Sequence, residues 1–505
     1  MTDTSGKLLQ TPHVWTFTTY FAEGLPYSII RTISSVFFRD MKVSLEAIGL
    51  TSLFGLPWAL KFLWGPQIDQ FGTKRRWMLI TQLLLVIILC TVAFVAPLDC
   101  GVEIIAVLFF AGAFLAATHD MAIDGYYMEA LDKEGQSRFV GCRVMAYQIS
   151  RMTGVGIIVT VGTMISWRTG FLGAALLLAI LYAYHVFLLP QVETPKKPIR
   201  LLYASVLNLK SISYACLFSL GIVFLRWLFS LQWWEGFKAH VPFIARITIS
   251  GWIVMGLLMA LILITLFKNR IKGILFKKKN VFYSRAFISY IDRKSIGIAL
   301  AFIILMKIGE SMLAAMASPF MVDLGIQFHY GWISAGVGLP FSIIGAMLGG
   351  WMISRYTLRR TLMPFLLAQN LTNVVYMFLA FGLNRYVALN TGADELIPIG
   401  QFNLFLVAMV HAFDQFAGGL GTAVLVTFLM RTCLSEFKAA HFAIGTGLMN
   451  IGGVLFGVTS GFLAQWLGYG IFFGISFLAS IPAMGLAFFL PFMESEKEQP
   501  AINPS

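Results

Sequence analysis

Charged residues are scarce in this chain. Only 12% of its 505 residues are Asp, Glu, Lys or Arg, where a soluble protein carries about 25%. That is too little polar side chain to cover a water-exposed surface. With 58% hydrophobic residues and a mean hydropathy of +0.79, the deficit excludes a soluble domain and implies a polytopic membrane protein with α-helical spans. Cysteine is scarce too. Cys90, Cys100, Cys142, Cys216 and Cys433 lack metal-type spacing, which argues against a disulfide framework or a Cys/His metal site. Most fall in apolar runs and read as small buried hydrophobes. The first residues, MTDTSGKLLQTPHV, have no charged n-region, apolar core or small-residue cleavage site. No cleavable signal peptide is expected, and the first span itself directs insertion. Nucleotide-loop patterns are absent, and no nucleophile or metal constellation points to an enzyme or a resident cofactor.

The charges that are present lean basic, with a formal net charge of +13. They cluster in short loops, so the excess is topogenic, and no nucleic-acid partner is expected. A span needs about 20 mainly apolar residues. Runs of that kind lie near 14–37, 45–64, 77–96, 103–128, 140–163, 169–190, 211–232, 246–267, 297–322, 331–354, 361–384, 399–429, 438–466 and 470–492, which makes 14. With this list, Lys74–Arg76, Lys133, Arg138, Lys196, Lys197, Arg200, the 268–279 cluster, Arg355, Arg359, Arg360, Arg431 and Lys438 fall on one side. The other side has Asp99, Glu103, Asp394 and Glu395. The positive-inside rule then places both termini in the cytoplasm.

The two ends of the chain share a plan. Each has six spans and a short basic loop between its second and third: GPQIDQFGTKRR at 65–76 and GGWMISRYTLRR at 349–360. The second copy has no acid matching Asp69. Two six-helix halves are the layout of the major facilitator fold. The expected fold is all-α, 6+6 helices with two additional central helices. The N-terminal half is 1–194, the linker with the additional helices 195–295, the C-terminal half 296–493 and a cytoplasmic tail 494–505. Trp227, Trp233 and Trp234 mark the outer interface of the additional pair. The segment 268–296 reads as a basic amphipathic stretch on anionic lipid. Gly65, Asp69, Gly72, Lys74, Arg75 and Arg76 are expected to form a cytoplasmic gating loop. Its charges stay in water, and Asp69 meets a helix N-terminus or an arginine of a neighbouring span in one state only.

Ionisable residues inside spans are expensive, so each is a functional candidate until it is paired off. Glu23 precedes Gly24, Leu25 and Pro26, where a helix can break and open a site. It either serves as a proton carrier or pairs with Arg31. Asp120 and Asp124 are four apart and share a helix face; two close carboxylates repel, which suits a proton carrier. His119 points about 100° away from Asp120. In the fifth span Arg143, Tyr147 and Arg151 lie on one stripe, beside Gln148. Arg151 is a counter-ion for Asp120 or Asp124, a clamp for an anionic substrate, or part of a structural salt bridge. Lys307 and Glu310 are three apart and can pair. Asp414 and Gln415 precede Gly418, Gly419 and Gly421, which permit close helix packing. Tyr126, Tyr127 and Trp227 offer rings for sugar stacking.

KFLWGPQIDQFGTKRRWMLITQ at 61–82 resembles the signature loop of AmpG-type permeases, a major facilitator branch shared with acetyl-coenzyme A transporters. Residues 22–26, HDMAIDGYYMEAL at 119–131, KIGESM at 307–312 and GGLGTAVLVTFLM at 418–430 are similar to that family in order and spacing. The resemblance implies proton-driven import of disaccharide-anhydromuropeptides across a bacterial inner membrane. By matching position it puts Asp120 and Asp124 on the family's paired acids and Glu310 and Asp414 on acidic positions. Two features depart from it: the family's Tyr-Arg pair reads Tyr147-Gln148 here, with Arg151 one turn on, and Glu23 stands where a small polar residue is usual. The expected protein is a monomeric multi-pass symporter for an anionic amino-sugar or peptide conjugate. The other reading is a transporter of another anionic solute, such as a coenzyme A thioester or sugar derivative. Glu23, Asp120, Asp124 and Glu310 are the proton-site candidates; Arg31, Tyr127, Tyr147, Gln148, Arg151, Asp414 and Gln415 are the substrate-site candidates.

Overall fold

The computed structural model describes residues 10–61, 64–193, 197–198, 259, 289–290, 292–293, 295–391, 396–434, 438–491 and 493. The additional helix pair and the basic amphipathic segment fall almost wholly outside them, as does the C-terminal tail. Among the described residues every regular element is a helix. Six long segments come first: α1 (12–40), α2 (Leu45–Leu60), α3 (Lys74–Val95), α4 (Gly101–Ala130), α5 (133–164) and α6 (Trp167–Leu188). Then follow α7 (Ile296–Asp323), α8 (Gln327–Tyr356), α9 (Leu358–Gly382) and α10 (Gln401–Arg431). The run Lys438–Ala487 breaks at Gly468, with φ 76°, into α11 (438–467) and α12 (469–487). Among the described residues nine stretches, with His441–Ala487 counted once, are long and apolar enough to cross a membrane.

These helices start where the chain offers a side-chain oxygen to the first free amides. Ser44, Thr73, Asp132 and Ser166 accept from the backbone N–H of Ala47, Arg76, Gly135 and Thr169, which satisfies donors the helix cannot. Three helices are interrupted by π-turns: Ile29–Ile33 in α1, Thr153–Ile158 in α5 and Trp332–Gly338 in α8. The first follows Pro26, which has no N–H to give. Such turns re-aim neighbouring side chains and recur at functional sites. Arg31 lies inside the first of these turns, and Arg151 just precedes the second.

The first six helices meet the last six along α2 and α11, α5 and α8, and α1 and α7. At Gly49 of α2 an added Cβ would lie 2.7 Å from the Val458 carbonyl oxygen of α11, so only glycine permits that approach. At the ends of α1 and α7, Arg39 grips Asp323 with two bonds of 2.5 and 2.7 Å. The Tyr469 hydroxyl from the start of α12 donates to the same carboxylate at 2.7 Å. All three groups are largely buried, so the pair is strong only because every oxygen is satisfied.

The basic loop folds differently from its expected solvent exposure. Residues Gly65–Gln70 form a short helix, Gly72 turns the chain with φ 69°, and α3 begins at Lys74. Lys74 is 4% exposed and gives its Nζ to the Ile68 carbonyl at 3.1 Å. Arg75 caps the C-terminus of α6 by donating to the carbonyls of His185, Val186 and Leu189. In return Glu193, just past α6, accepts from the amides of Lys74 and Arg75 at 2.5 and 3.0 Å. Of the three basic residues only Arg76 is exposed. The physical reason is the pair of helix ends lying side by side: bare amides attract a carboxylate and bare carbonyls a guanidinium. The helix N-terminus expected for Asp69 is occupied by Glu193; the side chain of Asp69 lies outside the described residues.

Two outcomes are expected. Glu193→Ala should destabilise the purified protein by about 1–2 kcal/mol, a lost cap, with Glu193→Gln recovering most of it; thermal unfolding followed by tryptophan fluorescence measures both. Arg39→Ala should cost about 3–5 kcal/mol by leaving Asp323 buried without its cation, and adding Asp323→Asn should restore part of the lost Tm.

Candidate functional site

The first half of the molecule brings three carboxylates together. Glu23 of α1 and Asp120 and Asp124 of α4 each place an oxygen within 4.8 Å of the others. The i, i+4 spacing puts both aspartates on one face of α4. Glu23 arrives because α1 packs tightly on α5, where Ser150 Oγ donates to the Phe21 carbonyl at 2.6 Å. Two cations answer three acids. Lys61, at the C-terminal end of α2, gives Nζ to Asp120 Oδ2 at 2.8 Å. Arg143 of α5 gives Nη2 to Asp124 Oδ1 at 2.9 Å. Tyr20 of α1 also donates to Asp124 at 2.8 Å, and Arg143 lies 4.5 Å from the centre of its ring. Glu23 Oε2 is buried with no hydrogen-bond partner.

These pairings remove one of the three readings of Arg151 and the pairing of Glu23 with Arg31. Arg151 is not the counter-ion of Asp120 or Asp124: Lys61 and Arg143 are. Arg143 comes from the same α5 stripe but sits two turns nearer the helix start, level with the acids. Glu23 faces the two aspartates, while Arg31 donates to the Ser52 carbonyl at 3.1 Å. His119 turns to Thr81, with Nδ1 to Oγ1 at 3.0 Å, and stands outside the cluster. Three such carboxylates are also donors for a hard cation, but Lys61 and Arg143 already take an oxygen of each aspartate.

Between the two sets of helices lies a cavity of about 670 Å³, within the range of ligand sites. Arg31, Lys61, Arg151 and Lys307 line it against a single carboxylate, Glu310. Lys61 is committed to Asp120. Lys307 reaches Glu310 at 2.5 Å, the expected i, i+3 pair, and Gln369 also donates to Glu310. That leaves Arg31 and Arg151 without a carboxylate partner among the described residues. Among the described residues Arg151 hydrogen-bonds to Gln148 Oε1 at 3.3 Å, and its buried Nε has no partner there. An aromatic wall stands beside them: Tyr27 meets Trp58 edge-on at 5.1 Å and Tyr147 at 6.0 Å. A smaller pocket of about 230 Å³ is lined by Tyr20, Glu23, Arg143, Tyr147 and Gln148.

The other substrate candidates sit elsewhere. The Tyr127 hydroxyl donates to the Gln136 carbonyl at 2.5 Å, and its ring packs on Trp15 and Tyr20. Asp414 and Gln415 bond to each other at 3.2 Å within α10. None of these three lines the central cavity. Lys61 was missed as a candidate. Its signal was present, since it is a lone cation in the apolar run LPWALKFLW at 56–64, but the adjacent basic loop made it read as a topology charge.

The Major Facilitator Superfamily model matches residues 16–309. Anhydromuropeptide permease of Escherichia coli strain K12 is 23% identical over 478 residues, covering 92% of this chain and 76% of that protein. A putative transporter AmpG 4 of Rickettsia felis is 21% identical over 92% of this chain and 93% of its own length. Among solved structures, the nucleoside transporter NupG superposes with a TM-score of 0.57 at 16% identity over 95% of this chain and all of that one. A peptide transporter POT in complex with sulfate superposes with a TM-score of 0.60 at 13% identity over 94% of both chains. The two structural likenesses bear on fold alone, and the curated relatives are named as a permease and a transporter rather than as enzymes. The helices, the inter-half cavity and the matched family model agree: this membrane transporter belongs to the Major Facilitator Superfamily.

Proposed function

We propose that the protein is a proton-coupled secondary transporter that imports anhydromuropeptides, or a related anionic amino-sugar/peptide conjugate, across the bacterial inner membrane. The observation that carries this reading is the imbalance of charge on the two sides of α2. The cavity presents two arginines with no carboxylate to hold, and the adjoining cluster has three carboxylates for two cations. The first binds an anion by charge-assisted hydrogen bonds. The second retains a proton, because three acids this close do not all stay ionised beside two cations. The aromatic rings of Tyr27 and Trp58, which line the cavity, suit the apolar face of a sugar ring. Across the cavity, Lys307 and Glu310 offer both signs of charge, which suits the amine and carboxylate of a peptide.

Transport proceeds by alternating access, with 1–194 and 296–493 rocking about the cavity and 195–295, with two additional spans, joining them. Fourteen spans put both termini in the cytoplasm. In that orientation the Arg39–Asp323–Tyr469 tie closes the periplasmic end. The reciprocal caps of Arg75 and Glu193 tie α3 to α6 within one half, so that this half moves as a rigid unit. Protons bind at the Glu23–Asp120–Asp124 cluster; Glu310, held by Lys307 and Gln369, responds to substrate from the facing half.

Uptake of a radiolabelled anhydromuropeptide into proteoliposomes with an imposed pH gradient tests the reading. Asp124→Asn should abolish gradient-driven accumulation while leaving counterflow exchange measurable; full accumulation by this variant overturns the role of the cluster. Arg151→Ala should raise the KM about 10- to 100-fold, the loss of one charge-assisted contact worth about 1.5–3 kcal/mol, and keep its gradient dependence. Failure of the wild type to take up this substrate, with uptake of a coenzyme A thioester instead, would transfer the same machinery to the other anionic solute.

A further inference from the structure

The acid cluster and the cavity are adjacent but separate. None of the three carboxylates lines the large cavity. Among the described residues, one side chain both lines that cavity and bonds to the cluster: Lys61. Its side chain is 35% exposed, against 11% for its partner Asp120. It leaves the chain at the end of the short helix Leu56–Leu60, on a flexible four-carbon stem that carries a compact charge. Arg143, the other cation of the cluster, faces the smaller pocket instead.

We propose that Lys61 couples substrate to proton: an anion in the cavity draws the Lys61 ammonium away from Asp120, and Asp120 then takes a proton. This rests on the reading of the protein as a proton-coupled anion transporter and adds the residue that links its two sites. The charge count fixes the direction. With Lys61 and Arg143 both in place, three carboxylates face two cations. When Lys61 turns to the anion, Arg143 alone remains, and one further proton restores the former charge. The groups that face Asp120 and its neighbours are Tyr20 and Glu23 from α1, Lys61 from α2, Asp124 from α4, and Arg143 and Tyr147 from α5. Among the described residues, the only cation of the cluster that also lines the cavity is Lys61. The proton comes from water in the smaller pocket, where Glu23 is exposed to it, and ends on a carboxylate oxygen of Asp120. No covalent bond is made or broken besides O–H. Linkage is reciprocal: if the anion favours protonation, protonation favours the anion by the same factor. That sign is the sign of symport.

The test uses the full-length protein in lipid nanodiscs and a synthetic N-acetylglucosaminyl-anhydromuramyl peptide as probe. Wild-type affinity should rise as pH falls, by up to about tenfold per pH unit for one linked proton. Lys61→Gln should bind at all pH values with the weak affinity that the wild type shows at the alkaline end, and Lys61→Arg should regain part of the slope. A Lys61→Gln slope equal to that of the wild type overturns the proposal. A second measurement needs no variant. Dicyclohexylcarbodiimide labels protonated carboxyls in apolar surroundings, and peptide mass spectrometry reads each site. Adding probe to the wild type should raise labelling of Asp120 several-fold, and so should Lys61→Gln without probe. Unchanged labelling in Lys61→Gln overturns the proposal whatever the substrate is. Absence of probe binding by the wild type refutes the anhydromuropeptide reading, while the labelling of Lys61→Gln still decides the role of Lys61.

Discussion

Three carboxylates share a space under 5 Å across inside the first half of this transporter, and much of the surrounding structure follows from having to hold them there. Ionised acids in a low-dielectric interior need cations within bonding distance. The chain supplies one from the end of α2 and one from α5, and lends a tyrosine hydroxyl from α1. Pro26 and the π-turn after it let α1 carry Glu23 to the cluster and Arg31 to the cavity on one interrupted helix. The third acid is left without a donor. Among the described residues, Glu23 Oε2 is the carboxylate oxygen of this cluster that is buried with no hydrogen-bond partner.

The central cavity is organised on the opposite rule. There the surplus is positive, and two guanidinium groups have no carboxylate partner among the described residues. The first half supplies these arginines and the aromatic wall, and the second supplies the paired Lys307 and Glu310. A ligand that touches both walls is sensitive to their separation, so its binding energy can bias the equilibrium between open and closed arrangements. Lys61 stands between the two regions and belongs to both.

The basic loop shows how charge near a membrane surface serves packing as well as topology. Lys74 and Arg75 do not sit in bulk water. They close helix ends that would otherwise leave bare carbonyls, and Glu193 closes the helix end beside them. The tie runs between α3 and α6, on the same side of the molecule. A contact that crosses between the halves lies elsewhere, where Arg39 and Tyr469 meet Asp323.

Among the described residues, the sequence alone was enough to place the helices. The fourth helix spans Gly101–Ala130 where hydropathy indicated 103–128, and the ninth spans Leu358–Gly382 where it indicated 361–384. This works because lipid permits few backbone structures and demands long apolar runs. Spacing along one helix was equally legible: Asp120 with Asp124, and Lys307 with Glu310, are local facts of a 3.6-residue period. What sequence could not determine was which cation answers which acid. Lys61 meets Asp120 across 59 residues, and Arg39 meets Asp323 across 284. The sequence reading offered Arg151 as the counter-ion; the packing of α5 on α1 put Arg143, two turns back on the same stripe, beside the acids and Arg151 in the cavity. Pairings of that kind depend on helix rotation and depth, which are set by contacts between distant segments and leave no periodic trace in the chain.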